Sequence, residues 1–429
     1  MKTAILVCLA GAAMLAGIGS ARGETPVSLD SLIREALSNN PSLKAARANW
    51  EAARSRIPQA RAWADPRMGY DQRLARFVGV PANSFTDEKL MAEQQLPISG
   101  RNRLQGDAAA AEAAGAFEQF RRKQLDAAGR TRTAFFRLAN SYKQLELNRR
   151  SADLLRQFAE ISRAKLAAGN RSQADVLSAE TELARLDEAQ YDFQREISEA
   201  RTELNVLMNR RPDSPLARPA ELAFEPVDLS LPNLEGLALA NRPELAMASR
   251  KADAAEARLK AARRGWIPEP SFRVEADRYN GGAQAVSELD AGFSIDLPWF
   301  NRAKYRGAIV ENEKMLESAR HEFEAARSET LGLVEDQFHR VETFHHHTEL
   351  YRDKLLPLAR ESVQAQRAGY ESNKGGFLEI LAAQQMAQDA ESMYWDHLAH
   401  YQTAVAELET LIGVDLTNNS TDGHHHEHP

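Results

Sequence analysis

Cysteine is almost missing from this chain. Among 429 residues there is one, Cys8, inside the opening apolar stretch, so neither a disulfide framework nor a thiolate metal site can be built. Proline is scarce over one long stretch, with only Pro357 between residues 301 and 411. Outside the N-terminus no apolar run reaches the ~20 residues a membrane helix requires. Any membrane span must therefore be made of strands. Nor is there an excess of base: 54 Lys and Arg stand against 61 Asp and Glu, a net charge of −7. A nucleic-acid binder would show a basic face and aromatic platforms instead, so cations and amphipathic small molecules remain as partners. Catalytic signatures are lacking too. No Gly-rich phosphate loop and no His-Glu-x-x-His helix occurs, and Ser, His and Asp fall in no nucleophile context. Neither an enzyme nor a bound cofactor is expected.

The N-terminus reads Met1-Lys2-Thr3, an apolar run from Ala4 to about Ile18, then Gly19-Ser20-Ala21-Arg22-Gly23. A positive start, a short apolar core and small residues before a cut describe a secretory signal peptide over residues 1–23, cleaved near Ala21 or Gly23. A membrane anchor is the alternative, but the run is short for one. Too few apolar residues precede Cys8 for it to serve as a lipid acceptor. The mature chain, starting close to Glu24, is expected to carry no thiol, disulfide or lipid.

What is present is a pattern written twice. Ile380, Ala383, Ala387, Ala390, Tyr394, His397, Tyr401, Ala404, Leu408 and Leu411 follow alternating steps of three and four, a heptad seam that predicts supercoiling against neighbouring helices. The same register occurs about two hundred residues earlier, in Val176, Ala179, Leu183, Leu186, Gln190, Phe193, Ile197, Ala200, Leu204 and Leu207. Helical patterns opening at Ser28 and turning at Asn39-Asn40-Pro41 have a copy from Leu234 that turns at Asn241-Arg242-Pro243. Trp63-Ala64-Asp65-Pro66 and Trp266-Ile267-Pro268-Glu269-Pro270 then stop each helix and force an extended continuation.

The strand-like material follows these stops. Residues 67–73 and 89–96 flank a turn containing Gly79, Pro81 and Asn83; residues 271–278 and 289–297 flank Tyr279-Asn280-Gly281-Gly282. Leu289, Ala291, Phe293, Ile295 and Leu297 alternate with Asp290, Gly292, Ser294 and Asp296, as a strand between lipid and an aqueous lumen would. A soluble hairpin beside a helical bundle fits the alternation too. Four strands cannot close a membrane barrel, so hairpins that enter lipid must share a barrel with other chains. Each pair leaves through a Leu-Pro corner, Leu96-Pro97-Ile98-Ser99-Gly100 or Leu297-Pro298-Trp299-Phe300-Asn301. Long helical arms follow, broken at Gly169-Asn170-Arg171-Ser172 and Asn373-Lys374-Gly375-Gly376.

The expected organisation is a first repeat over residues 24–209 (hairpin 67–98, helical hairpin 99–209) and a Pro-rich linker over 210–232. A second repeat covers 233–412 (hairpin 271–298, helical hairpin 299–412), and a polar tail covers 413–429.

Together, the signal, the tandem duplication, the Leu-Pro corners and the helical hairpins resemble the TolC family of outer-membrane efflux proteins across the whole mature chain. The resemblance implies a mainly α fold with a β-barrel part: three chains form a twelve-stranded barrel in outer-membrane lipid, continued by a periplasmic α-barrel of coiled-coil helices. It also implies a periplasmic adaptor and an inner-membrane resistance-nodulation-division pump as partners. The family closes its periplasmic mouth near the second helical break. By the match of a Tyr, a loop and an acid-apolar-Leu step, Tyr370 and Glu379-Ile380-Leu381 fall there, with Lys374 beside the position of a gate arginine. A ring of Glu379 carboxylates would attract cations. The other reading is that Tyr370 packs and Glu379 caps a helix turn.

All eleven histidines lie in the second half. His345, His346 and His347 are consecutive on a helical arm and diverge around it, so they cannot share one ion. His397 at a seam position reads as a partly buried, hydrogen-bonded side chain. His424, His425, His426 and His428, with Glu427, lie on a tail able to wrap a borderline transition metal; a polar tail that binds metal only in vitro is the alternative. The tail tilts the resemblance toward the heavy-metal branch, with divalent metal ions as cargo. Organic solutes, drugs or a secreted polypeptide are the other cargo, and a soluble periplasmic scaffold or metal buffer the other class.

Overall fold

A computed structural model describes residues 26–74, 77, 86–167, 173–279, 285–372 and 376–416. The signal segment, both hairpin turns, Lys374 and the histidine tail lie outside them.

Each half opens with two short helices, α1 (Leu29–Asn39) and α2 (Pro41–Arg61) in the first, α5 (Leu231–Asn241) and α6 (Pro243–Arg263) in the second. Asn-Pro ends one helix and starts the next, because proline suits the first turn and the Asn40 carboxamide accepts the Ser42 amide at 2.9 Å. Ser28 occupies the cap position of α1 but its side chain caps nothing; Ser31 Oγ donates to the Ser28 carbonyl instead. The helix expected from Leu234 begins at Leu231, since Pro232 fits its first turn.

Strands β1 (Arg67–Gln72), β2 (Thr86–Gln95), β3 (Pro270–Tyr279) and β4 (Glu288–Ile295) form one antiparallel sheet in the order β1-β2-β3-β4. The hairpins of the two halves are thus joined through β2 and β3, and β1 and β4 are open edges. Strand β2 begins three residues before the expected Lys89, at Thr86, because Thr86-Asp87-Glu88 has no apolar alternation to reveal it.

From the corners the chain enters the arms. Helix α3 (Arg101–Ala167) has 67 residues, roughly 100 Å at 1.5 Å per residue, and α4 (Gln173–Leu207) returns against it. In the second half α7 (Arg302–Leu350) passes through a π-helical turn, Tyr351–Leu355, into α8 (Leu356–Glu371), and α9 (Phe377–Ile412) returns. Pro357 explains the turn. It has no amide to give the carbonyl four residues back, and the Leu356 amide donates to the Tyr351 carbonyl five residues back.

Helices α3 and α9 pack on each other in the middle, α4 lies against α3, and α7 and α8 lie against α9. None of the ten seam positions on α4 or on α9 is exposed. Polar pairs tie the central helices: Gln144 and Ser392 exchange bonds of 2.9 and 2.7 Å, and Asn140 donates to Asp396 at 3.2 Å. The Pro-rich segment straps the surface. Tyr401 Oη accepts the Val227 amide at 3.0 Å and donates to the Glu225 carbonyl at 3.3 Å. No described helix is long and apolar enough to cross a membrane.

Candidate functional site

Pairing register sorts the sheet into two faces, because residues directly opposite in an antiparallel pair share a face. One face carries the rows Tyr70-Leu90-Ala276-Leu289 and Met68-Ala92-Val274-Ala291, then Gln94-Phe272-Phe293, where Gln94 is the one polar member, and Pro270 opposite Ile295. Four rows two residues apart span about 20 Å, close to the ~25 Å apolar band of a membrane barrel. They end at a polar row, Gln72-Glu88-Arg278. Leu289 and Phe293 are 70% and 69% exposed in the single chain, as an apolar face is when its solvent is lipid. The opposite face carries Asp71-Lys89-Asp277-Glu288 and Arg67-Glu93-Arg273-Gly292, and Lys89 pairs with Glu275 at 2.5 Å. Leu289 to Leu297 revealed this alternation in the sequence; the charged face of β1 to β3 was missed, because only register aligns it.

Below the sheet, the first corner is bound across the repeats to the segment that enters β3. Ser99, 1% exposed, donates to Glu269, and Arg264 Nη1 donates to the Ser99 carbonyl at 2.9 Å. Gly100 has φ +67°, the left-handed conformation a side chain disfavours, and so permits the reversal into α3.

At the far end, Tyr370 closes α8. It is 8% exposed and packs with Leu155 and Ala159 of α3, Ala179 and Leu186 of α4, and Ile380 of α9, so it joins the two helical hairpins within the chain. Glu379 is exposed, and its carboxylate accepts the Gly376 amide at 3.2 Å at the start of α9. Tyr370 and Glu379 are thus both at the tip, one facing inward and one outward.

Midway along the arms lie the histidines. His345 packs on Phe224 and Tyr401, His346 is exposed, and His347 packs on His397 with ring centroids 4.9 Å apart. The three consecutive rings do diverge. His397 is half-buried as expected but makes no Nδ1 hydrogen bond, and burial lowers its pKa. One turn on, His400 is raised by its bond to Asp396 at 3.3 Å, and the Asp396 carboxyl is lowered by the same contact. No group of three or more His, Cys, Asp or Glu among the described residues is placed to hold a metal ion.

Where α9 ends, Glu409 is 4% exposed. Its Oε1 accepts the Leu416 amide at 2.9 Å, and Arg132 approaches at 3.6 Å. Burial outweighs the arginine and raises its pKa to about 7.

An open-edged amphipathic sheet continued by paired helical hairpins fits one share of a multi-chain barrel, and comparison with known proteins identifies the family. The profile of a family described as outer membrane efflux protein matches residues 32–210 and 234–414. The chain belongs to that family. Among relatives of this outer membrane efflux protein is the cobalt-zinc-cadmium resistance protein CzcC of Cupriavidus metallidurans, 21% identical over 392 residues, 90% of each chain. The solvent efflux pump outer membrane protein SrpC of Pseudomonas putida is 25% identical over 298 residues, 65% of this chain and 62% of that one. The solved structure of CusC aligns with a TM-score of 0.77 at 18% identity, covering 90% of this chain and 92% of that one. The fold is TolC-like, the chain is an efflux channel of the outer membrane with helices extending through the periplasm, and the family is one of channels rather than enzymes. Membership sets aside the soluble scaffold.

Proposed function

We propose that this outer membrane efflux protein is the passive exit conduit of a tripartite pump for divalent heavy-metal cations. The observation that carries the cargo is the likeness to the cobalt-zinc-cadmium resistance protein along 90% of both chains; the solvent-pump relative matches a shorter stretch. The histidine tail, outside the described residues, agrees with it. Three chains close a twelve-stranded barrel through β1 and β4. A periplasmic adaptor meets the helical tips and a resistance-nodulation-division pump supplies the energy. Glu379, facing outward at the tip, forms the acidic ring of the mouth, and Tyr370 and Lys374, the latter outside the described residues, act with it as gate residues.

A deletion strain tests this on zinc, cobalt, cadmium, nickel and copper, complemented by the full chain and by a version ending at Thr421. Sensitivity to particular ions names the cargo, and the truncation reads the contribution of His424, His425, His426 and His428. Unchanged tolerance to every ion, with sensitivity to toluene, gives the solvent reading that the second relative favours.

A further inference from the structure

Two imidazoles meet where the second arm loosens. His347 comes from the last turn of α7 and His397 from α9, with centroids 4.9 Å apart. Tyr351, first residue of the π-helical turn, packs on His397 at 5.0 Å. The Nδ1 atoms of both histidines are shut off from solvent and have no hydrogen-bond partner. A buried ring nitrogen left unpaired is destabilising, and such a pair calls for a bound ion or water to explain it. An ion held by both rings at ~2.0–2.1 Å in tetrahedral geometry sets their centroids roughly 5 Å apart. The observed spacing meets that.

We infer that His347 and His397 form a two-imidazole site for a borderline divalent transition-metal ion, bridging α7 and α9 at the π-helical turn. Asp396 does not complete the set, since its carboxylate is engaged by His400 and Asn140. The other coordination positions fall to water, which distinguishes the site from a closed structural one. π-Helical turns inside long helices are frequent at functional sites, and this one, set by Pro357, lies between the body of the bundle and the tip carrying Tyr370 and Glu379. The bound ion fixes α7 to α9 at that joint. The site stands whether or not metal is the cargo.

The test uses the full-length chain in detergent with His424, His425, His426 and His428 replaced by alanine, titrated with Zn²⁺ by calorimetry. One ion per chain is expected, bound at least tenfold more weakly by His347→Gln and by His397→Gln, and unchanged by His346→Gln. Copper(II) bound to the unsubstituted site should show electron-spin coupling to two nitrogens, a readout that needs no substitution at the pair. Zinc binding that is absent, or unaltered in both variants, overturns the site, as does copper coupled to fewer than two nitrogens. Growth on metals reads cargo alone, so either result can fail without the other.

Discussion

Phe272 of β3 stands directly opposite Phe293 of β4, on the face whose central rows carry no charge. One residue along, Arg273 stands opposite Gly292 on the charged face. The boundary between lipid and lumen therefore falls between neighbours in the chain. Phe293→Arg places a cation among lipid tails, at a cost of up to ~2–4 kcal/mol, whereas Ser294→Arg puts it on the lumen side. Heat-resistant oligomers in the outer-membrane fraction should fall sharply for Phe293→Arg and persist for Ser294→Arg. Equal loss in both would contradict the face assignment.

Tyr401 holds the Pro-rich strap through one hydroxyl. Tyr401→Phe leaves the Val227 amide and the Glu225 carbonyl without that partner, a loss of about 1–3 kcal/mol. Faster cleavage between residues 210 and 232 under limited proteolysis, with the helical arms intact, is the expected result.

Glu409 makes stability depend on pH. Its folded pKa of about 7 lies above the ordinary 4.5, so the folded state holds the proton more tightly than the unfolded one. The stability it adds is complete below pH 4.5 and is lost as pH rises through 7. Glu409→Gln keeps an oxygen for the Leu416 amide and removes the charge. The variant should unfold at a higher temperature than the parent at pH 8 and at nearly the same temperature at pH 4.5; identical shifts at both would refute the assignment.

Glu379 has two separable duties, a cap for Gly376 and a charge at the tip. Glu379→Gln retains an acceptor and loses the charge, whereas Glu379→Ala loses both. Reduced cation preference in planar bilayers for both variants supports the acidic ring. Unaltered selectivity in the glutamine variant leaves Glu379 as a cap alone.

The parts of this fold governed by short-range periodicity could be read from the residues. The seams on α4 and α9 declared themselves because a 3.5-residue repeat needs no partner to be visible, and the Asn-Pro turns because proline acts locally. Strand β4 was legible through Leu289 to Leu297 and β1 through the proline stop that precedes Arg67, while the start of β2, Thr86-Asp87-Glu88, offered no alternation. Register was not legible. It joins Gln95 to Ser271 across the two halves and depends on contacts far apart in the chain. The histidines show the same limit: proximity in sequence drew attention to His345-His346-His347, yet His347 meets His397, fifty positions on. The inward placement of Tyr370 likewise depends on α3 and α4, which no spacing around residue 370 encodes.

The sheet order bears on genetics. A ribbon with β1 at one margin and β4 at the other closes a ring only by joining unlike edges, so every copy must offer both. A copy whose β4 edge is spoiled still joins a neighbour through β1 and leaves the ring unsealed. Made beside the normal chain, such an allele is expected to be dominant if the proposed three-chain ring forms, with damage growing faster than its share of the pool.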